Sequence, residues 1–101
     1  MDSYEHITKM ENILNGQKEM LNKLNELVAC LDEHQQDYKE LIEYYYSDQR
    51  EQDLKDDEEK KIPQDLKRGV LDEDSIYDMM GDYRETALHM METAVKMLRN
   101  Y

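Results

Sequence analysis

The chain has 101 residues, one domain's worth, and its 25 acidic against 13 basic side chains give a formal net charge of −12. That balance argues against direct binding to nucleic-acid phosphates or an anionic membrane, since either needs a basic footprint. Phe and Trp are absent, eight Tyr and eight Met supply the bulk, and the single cysteine, Cys30, excludes an intrachain disulfide, which fits a reducing compartment.

The first predicted element is a long helix over about residues 3–47. Ile7, Met10, Leu14, Leu21, Leu24, Val28, Leu31, Tyr38, Ile42 and Tyr45 recur at alternating three- and four-residue spacings, and Gln17 and Gln35 fill the gaps. This is a heptad seam, the mark of a helix that lies against other helices. With the seam at positions a and d, Ile13, Met20, Leu27 and Leu41 fall at g. The apolar face is therefore three stripes wide, which suits a bundle better than a two-stranded coil. Ser3 is the expected N-cap, with Asp2 and Glu5 beside it. The polar tract 32–37 is the weak point, where the chain could turn.

Residues 48–61 are charge-dense, with Leu54 their only apolar residue, and read as a solvated short helix or loop. Residues 62–71 form a turn segment. Pro63 stands near the start of one helical turn and Gly69 is its expected stop. The last helix is expected over about 72–100, with Asp72 as N-cap and a Leu71–Ile76 hydrophobic staple. Its inward face again is wide, running from Ile76 and Met80 through Tyr83 and Met90 to Met97.

The fold expected is all-α: a helical bundle in which the long N-terminal helix packs antiparallel against the C-terminal one. A helix of about 45 residues spans ~67 Å and one of about 28 spans ~42 Å, so roughly 25 Å stays uncovered by that pairing. The middle segment, a break in the helix, or a second chain must account for the rest. An antiparallel dimeric four-helix bundle follows as the expected assembly.

Catalytic and metal chemistry find little footing. Cys30 and His34, four residues apart, would give two ligands on one helical face, and no second Cys or His pair completes a zinc site. Glu85, His89 and Glu92 share a side of the last helix, but the paired Glu-x-x-His motifs of di-iron bundles are absent. No glycine-rich phosphate loop or oxyanion turn appears. The expectation is a non-enzyme with no cofactor and no metal. No apolar run reaches the ~20 residues of a membrane span, and the N-terminus lacks a signal-peptide layout. A cytoplasmic protein without membrane contact is expected.

The candidate interaction residues are then of three kinds. Tyr44, Tyr45 and Tyr46 point about 100° apart on a helix, so one core cannot take all three. Tyr45 belongs to the seam, leaving Tyr44 and Tyr46 to cover the turn segment or meet a partner. Lys67 and Arg68, between a proline and a glycine, either pair with Asp72 and Glu73 or contact a partner. Glu33, Asp37 and Glu40, with the run Asp56, Asp57, Glu58 and Glu59, offer carboxylates ~6 Å apart, near the phosphate spacing along one DNA strand.

The stretch Leu41–Tyr45, the tract Asp65-Leu66-Lys67-Arg68-Gly69-Val70-Leu71 and the following Asp74-Ser75-Ile76-Tyr77 together resemble the bacterial family called domain of unknown function 4298. The likeness covers nearly the whole chain, and the tract 65–71 is its specific part. It implies an all-helical fold and a bacterial or phage origin, and it brings no activity. Arg50 stands where the resemblance implies an aromatic residue. Two functions follow as expectations: a self-associating, non-catalytic protein–protein interaction module, or an acidic nucleic-acid mimic that blocks a basic channel of a nuclease or DNA-binding protein.

Overall fold

A computed structural model describes residues 3–101. The fold is all-α, as expected: α1 (Glu5–Glu33), α2 (Gln35–Tyr45), α3 (Asp48–Glu58), a 3-10 turn (Gly69–Leu71) and α4 (Ser75–Arg99). Contacts divide the chain into two units, residues 1–39 and 40–101.

In the first unit, α1 starts two residues later than its expected cap. Tyr4 holds the N-cap position without a side-chain cap bond, and Ile7 N–H donates to the Tyr4 carbonyl at 3.0 Å. Asp2 lies outside the described residues. The helix predicted over 3–47 is interrupted within its polar tract, at His34. Side chains compete there with the backbone ladder. His34 Nδ1 sits 2.8 Å from the Cys30 carbonyl, and Gln35 Nε2 donates to the Leu31 carbonyl at 3.3 Å. His34 N–H also reaches the carbonyls of both Cys30 and Leu31. Local polar side chains divert helical acceptors in this way because they offer the backbone alternative partners.

The second unit is held by the turn segment: α3 and α4 each pack on the 3-10 turn. The helix α3 forms despite having a single apolar residue because both of its ends are satisfied. Ser47 Oγ accepts from Arg50 N–H at 3.1 Å and donates to the Tyr44 carbonyl at 2.6 Å. Asp48 and Glu51 occupy the first turn and Lys55 the last, matching the helix dipole. At the C-terminus, Lys61 N–H bonds to the Asp56 carbonyl and Lys60 N–H to the Asp57 carbonyl, while Lys60 adopts φ 59°. This is the Schellman arrangement, with lysine where glycine usually stands.

Two boundary expectations are corrected. Gly69 opens the 3-10 turn and does not stop a helix; the turn after Pro63 is a single bond from Leu66 N–H to the Pro63 carbonyl. Asp74, with no side-chain bond, caps α4, while the Asp72 carboxylate accepts from the Ser75 hydroxyl at 2.6 Å. Asp72 thus anchors the helix start from outside it. Ile76, 4% exposed, is the one buried residue among those described.

Candidate functional site

From Ile7 to Leu24 the apolar seam residues are exposed, and from Val28 onward they are half-buried. No residue of α1 is buried, and Ile7, Leu14 and Leu24 are each more than two-fifths exposed. Leu27, at the g position that widens the face, reaches 69%. The far half of α4 is open as well, with Met91 and Leu98 strongly exposed. Apolar side chains repeated along one helix face form a contiguous patch, which on soluble proteins marks an interaction surface.

Polar links organise the second unit around Tyr44, Arg50 and Asp53. Tyr44 is half-buried, and its hydroxyl donates to Asp53 Oδ2 at 2.7 Å. Gln49 Nε2 donates to Asp53 Oδ1 at 2.8 Å. Burial, then the Asp53 bond and charge, push the Tyr44 phenol up to about 12, with the Arg50 charge opposing. The hydrogen bonds from Tyr44 and Gln49 hold the Asp53 carboxyl below its usual value. Arg50, where the resemblance implies an aromatic, makes contacts of its own. Its guanidinium lies 4.7 Å over the Tyr45 ring, while Nε donates to the Val70 carbonyl at 3.2 Å and Nη2 to the Asp72 carbonyl at 3.4 Å. One side chain thereby ties α2, α3 and the turn segment together.

The tyrosine triplet separates as helical geometry requires. Tyr44 faces the turn segment, Tyr45 is half-buried beneath Arg50, and Tyr46 is 71% exposed with its ring edge-on to Tyr45 at 4.9 Å. Only Tyr46 keeps the surface of an interface anchor.

Beside Tyr44 lies a groove of about 350 Å³ lined by the apolar Ile62, Leu66 and Val70 and by the basic Lys61, Lys67 and Arg68. The basic pair divides there. Arg68 pairs with Asp57 of α3, not with Asp72 or Glu73 as the cap pairing proposes, whereas Lys67 is exposed.

The carboxylates expected to mimic phosphates are distributed over both units. Glu33 and Asp37 lie in the first, Glu40 and the 56–59 run in the second, and Glu33, Asp37 and Glu40 are all exposed. Within the run, Asp56 accepts from Gln52, Asp57 pairs with Arg68, and Glu59 pairs with Lys61 at 2.8 Å. Glu58, the last residue of α3, is exposed. Cys30 Sγ lies 3.7 Å from His34 Nδ1, and no group of three metal-ligating side chains converges among the described residues. No helix among them is long and apolar enough to cross a membrane.

Sequence reasoning missed Asp53 and Lys60 and gave Arg50 no task. The i, i+4 pair Gln49–Asp53 was readable as helix support. Nothing local signals that Arg50 reaches carbonyls some twenty residues further on.

A family model described as "Domain of unknown function (DUF4298)" matches residues 7–93. No curated protein and no solved structure matches the chain.

Proposed function

Because the chain belongs to the DUF4298 family, whose description assigns no activity, we propose from its surfaces that it is a non-catalytic helical protein–protein interaction module that self-associates. The observation that carries this reading is α1, a helix of 29 residues with a repeating apolar face and no buried residue. Leaving such a face in water forgoes ~25 cal/mol for every Å² of apolar surface that a partner helix would cover. A helix–helix contact, antiparallel as the two wide faces suggest, removes that deficit. Cys30 is free and exposed, consistent with a reducing bacterial cytoplasm.

Size-exclusion chromatography with light scattering tests the reading on the full chain. A species of twice the 12.2 kDa chain mass at micromolar concentration is expected; a clean monomer removes the self-associating part. The acidic-mimic alternative has less support, since three of the four carboxylates at 56–59 are engaged within the chain. Salt separates the two. Apolar docking keeps its strength as ionic strength rises, whereas binding to a basic channel weakens steeply.

A further inference from the structure

The flank of the α1 seam carries a charge pattern that the chain itself does not use. With Ile7 at a heptad a position, the e positions through the first unit are Glu11, Lys18, Asn25, Asp32 and Lys39. None of these charges forms an ion pair with another described residue, whereas Lys23, elsewhere on α1, pairs with Glu19 at 3.2 Å. Charges at e on an antiparallel pair of helices meet the e charges of the other helix, and they set partner and register.

We propose that the first unit docks on a second copy of itself, antiparallel, with Asn25 of one copy opposite Asn25 of the other. This rests on the self-association reading and adds the orientation and register. In this alignment Lys18 of each copy meets Asp32 of the other, and Glu11 meets Lys39. All four unused charges are paired with the opposite sign. The Lys18–Asp32 pairs lie wholly inside α1, and the Glu11–Lys39 pairs lie where α2 carries the heptad on past His34, whose N–H still bonds the Cys30 carbonyl and whose carbonyl still accepts from Tyr38 N–H. The same alignment puts Leu24 against Val28 and Leu21 against Leu31, layers that lie wholly inside α1. It also sets Gln17, the polar interruption of the α1 seam, against Gln35. Two amides facing each other satisfy donors and acceptors that would be stranded against a hydrocarbon layer. The exposed Leu27 meets its own copy across the two-fold axis.

The neighbouring registers fail on the same residues. A shift of one heptad in one direction brings Glu11 against Asp32 and Gln17 against Val28. In the other direction, Lys18 meets Lys39 and Leu24 meets Gln35. Parallel pairing places e beside g of the other helix, and the g positions are His6, Ile13, Met20, Leu27 and His34, so Lys18 and Asp32 meet Ile13 and Leu27, Lys39 meets His34, and only Glu11 meets a basic side chain, His6. Like charges brought together disfavour the wrong alignments as effectively as pairs favour the right one.

A charge-swap cycle on the full chain tests this, with dimer dissociation followed by sedimentation equilibrium. Lys18→Glu and Asp32→Lys each turn two attractive contacts into repulsive ones and are expected to weaken the dimer on the order of tenfold. The double variant restores the pairs with signs exchanged and returns the affinity to within about threefold of the parent. In a Cys30→Ser background, Asn25→Cys is joined by a short thiol cross-linker, while Glu26→Cys, on the outer face, is not. Circular dichroism confirms that each variant stays helical. A dimer indifferent to the swaps, or joined through position 26 and not 25, overturns the register and leaves self-association standing. A monomeric parent chain overturns both.

Discussion

The two units solve the problem of a short, acidic chain in opposite ways. Residues 5–33 repeat an apolar face with no buried residue; residues 40–101 carry an apolar face of their own along α4, open over its far half, but their charge-rich middle is tied by directional polar links. Apolar periodicity specifies a face but not what covers it. Hydrogen bonds and ion pairs name their partners, so the charge-rich middle closes on its own unit while the apolar face of α1 stays open. On our proposal association belongs to the first unit, while the polar links close the middle of the second.

The largest test places a charge in the seam. Leu24→Asp removes a leucine from the central layer of each copy, and each buried leucine is worth ~1.5–3 kcal/mol. Burying two carboxylates adds to the loss. We expect the dimer to weaken by more than about a hundredfold, measured by light scattering over a dilution series, with the second unit's contacts intact. A variant that dimerises as well as the parent would move the interface away from α1.

The corresponding test in the second unit is Arg50→Ala. It removes the contact over Tyr45 and the bonds to the Val70 and Asp72 carbonyls. A loss of about 1–2 kcal/mol in stability is expected, from a cation–π term and two partly exposed hydrogen bonds. Urea unfolding at a concentration where the parent's association state is known measures it. If Arg50→Ala instead altered dimerisation and left stability alone, the assignment of roles to the two units would be reversed.

Element type was readable in the sequence because it depends on short-range pattern. The three-and-four spacing of Ile7 through Leu31 gave α1, and the acids around Ser75 announced α4. The break at His34 fell in the tract where polar side chains outnumber apolar ones, so its site was visible but its occurrence was not. What decided it was competition by His34 and Gln35 for the carbonyls of Cys30 and Leu31, a balance of single hydrogen bonds. Arg50 and Arg68 illustrate the other limit. Both find partners more than ten residues away, and a long basic side chain carries no local signal of which acceptor it will reach. Triplet geometry left Tyr44 and Tyr46 two places, the turn segment or a partner, and it is Tyr44 that lies beside the turn segment. Its acceptor, Asp53, was not legible.

That bond makes the second unit sensitive to pH at both extremes. Tyr44 titrates higher when folded, at about 12 against an ordinary 10.0; its contribution is complete below the unfolded value and is lost as pH rises through the folded one. Asp53 titrates below its ordinary 3.8, so its contribution holds above that value and is lost as pH falls through the folded one. The contribution of this pair is therefore flat in between. Tyr44→Phe should cost about 1 kcal/mol on that plateau, read by urea midpoint, and should remove one late-titrating phenol from the alkaline absorbance curve. A phenol lost instead from the ordinary range near 10.0 would mean that Tyr44 is not held by Asp53 in solution.

The smallest effect has the opposite sign. Lys60 sits at φ 59° as the residue after the cap of α3, where a side chain crowds its own carbonyl and glycine does not. The Schellman bonds from Lys60 and Lys61 are backbone bonds, so Lys60→Gly keeps both while relieving the strain. The greater freedom of glycine in the unfolded chain offsets part of the gain. A net stabilisation of about 0.5–1 kcal/mol is expected from urea unfolding, with dimerisation unchanged because the position belongs to the second unit. Lys60→Val should move the other way, since a β-branched side chain fits the left-handed region worst. Should both substitutions leave the midpoint where it was, α3 would not end in this turn in solution, and the polar closure of the second unit would rest on Arg50, Arg68 and the Tyr44–Asp53 bond.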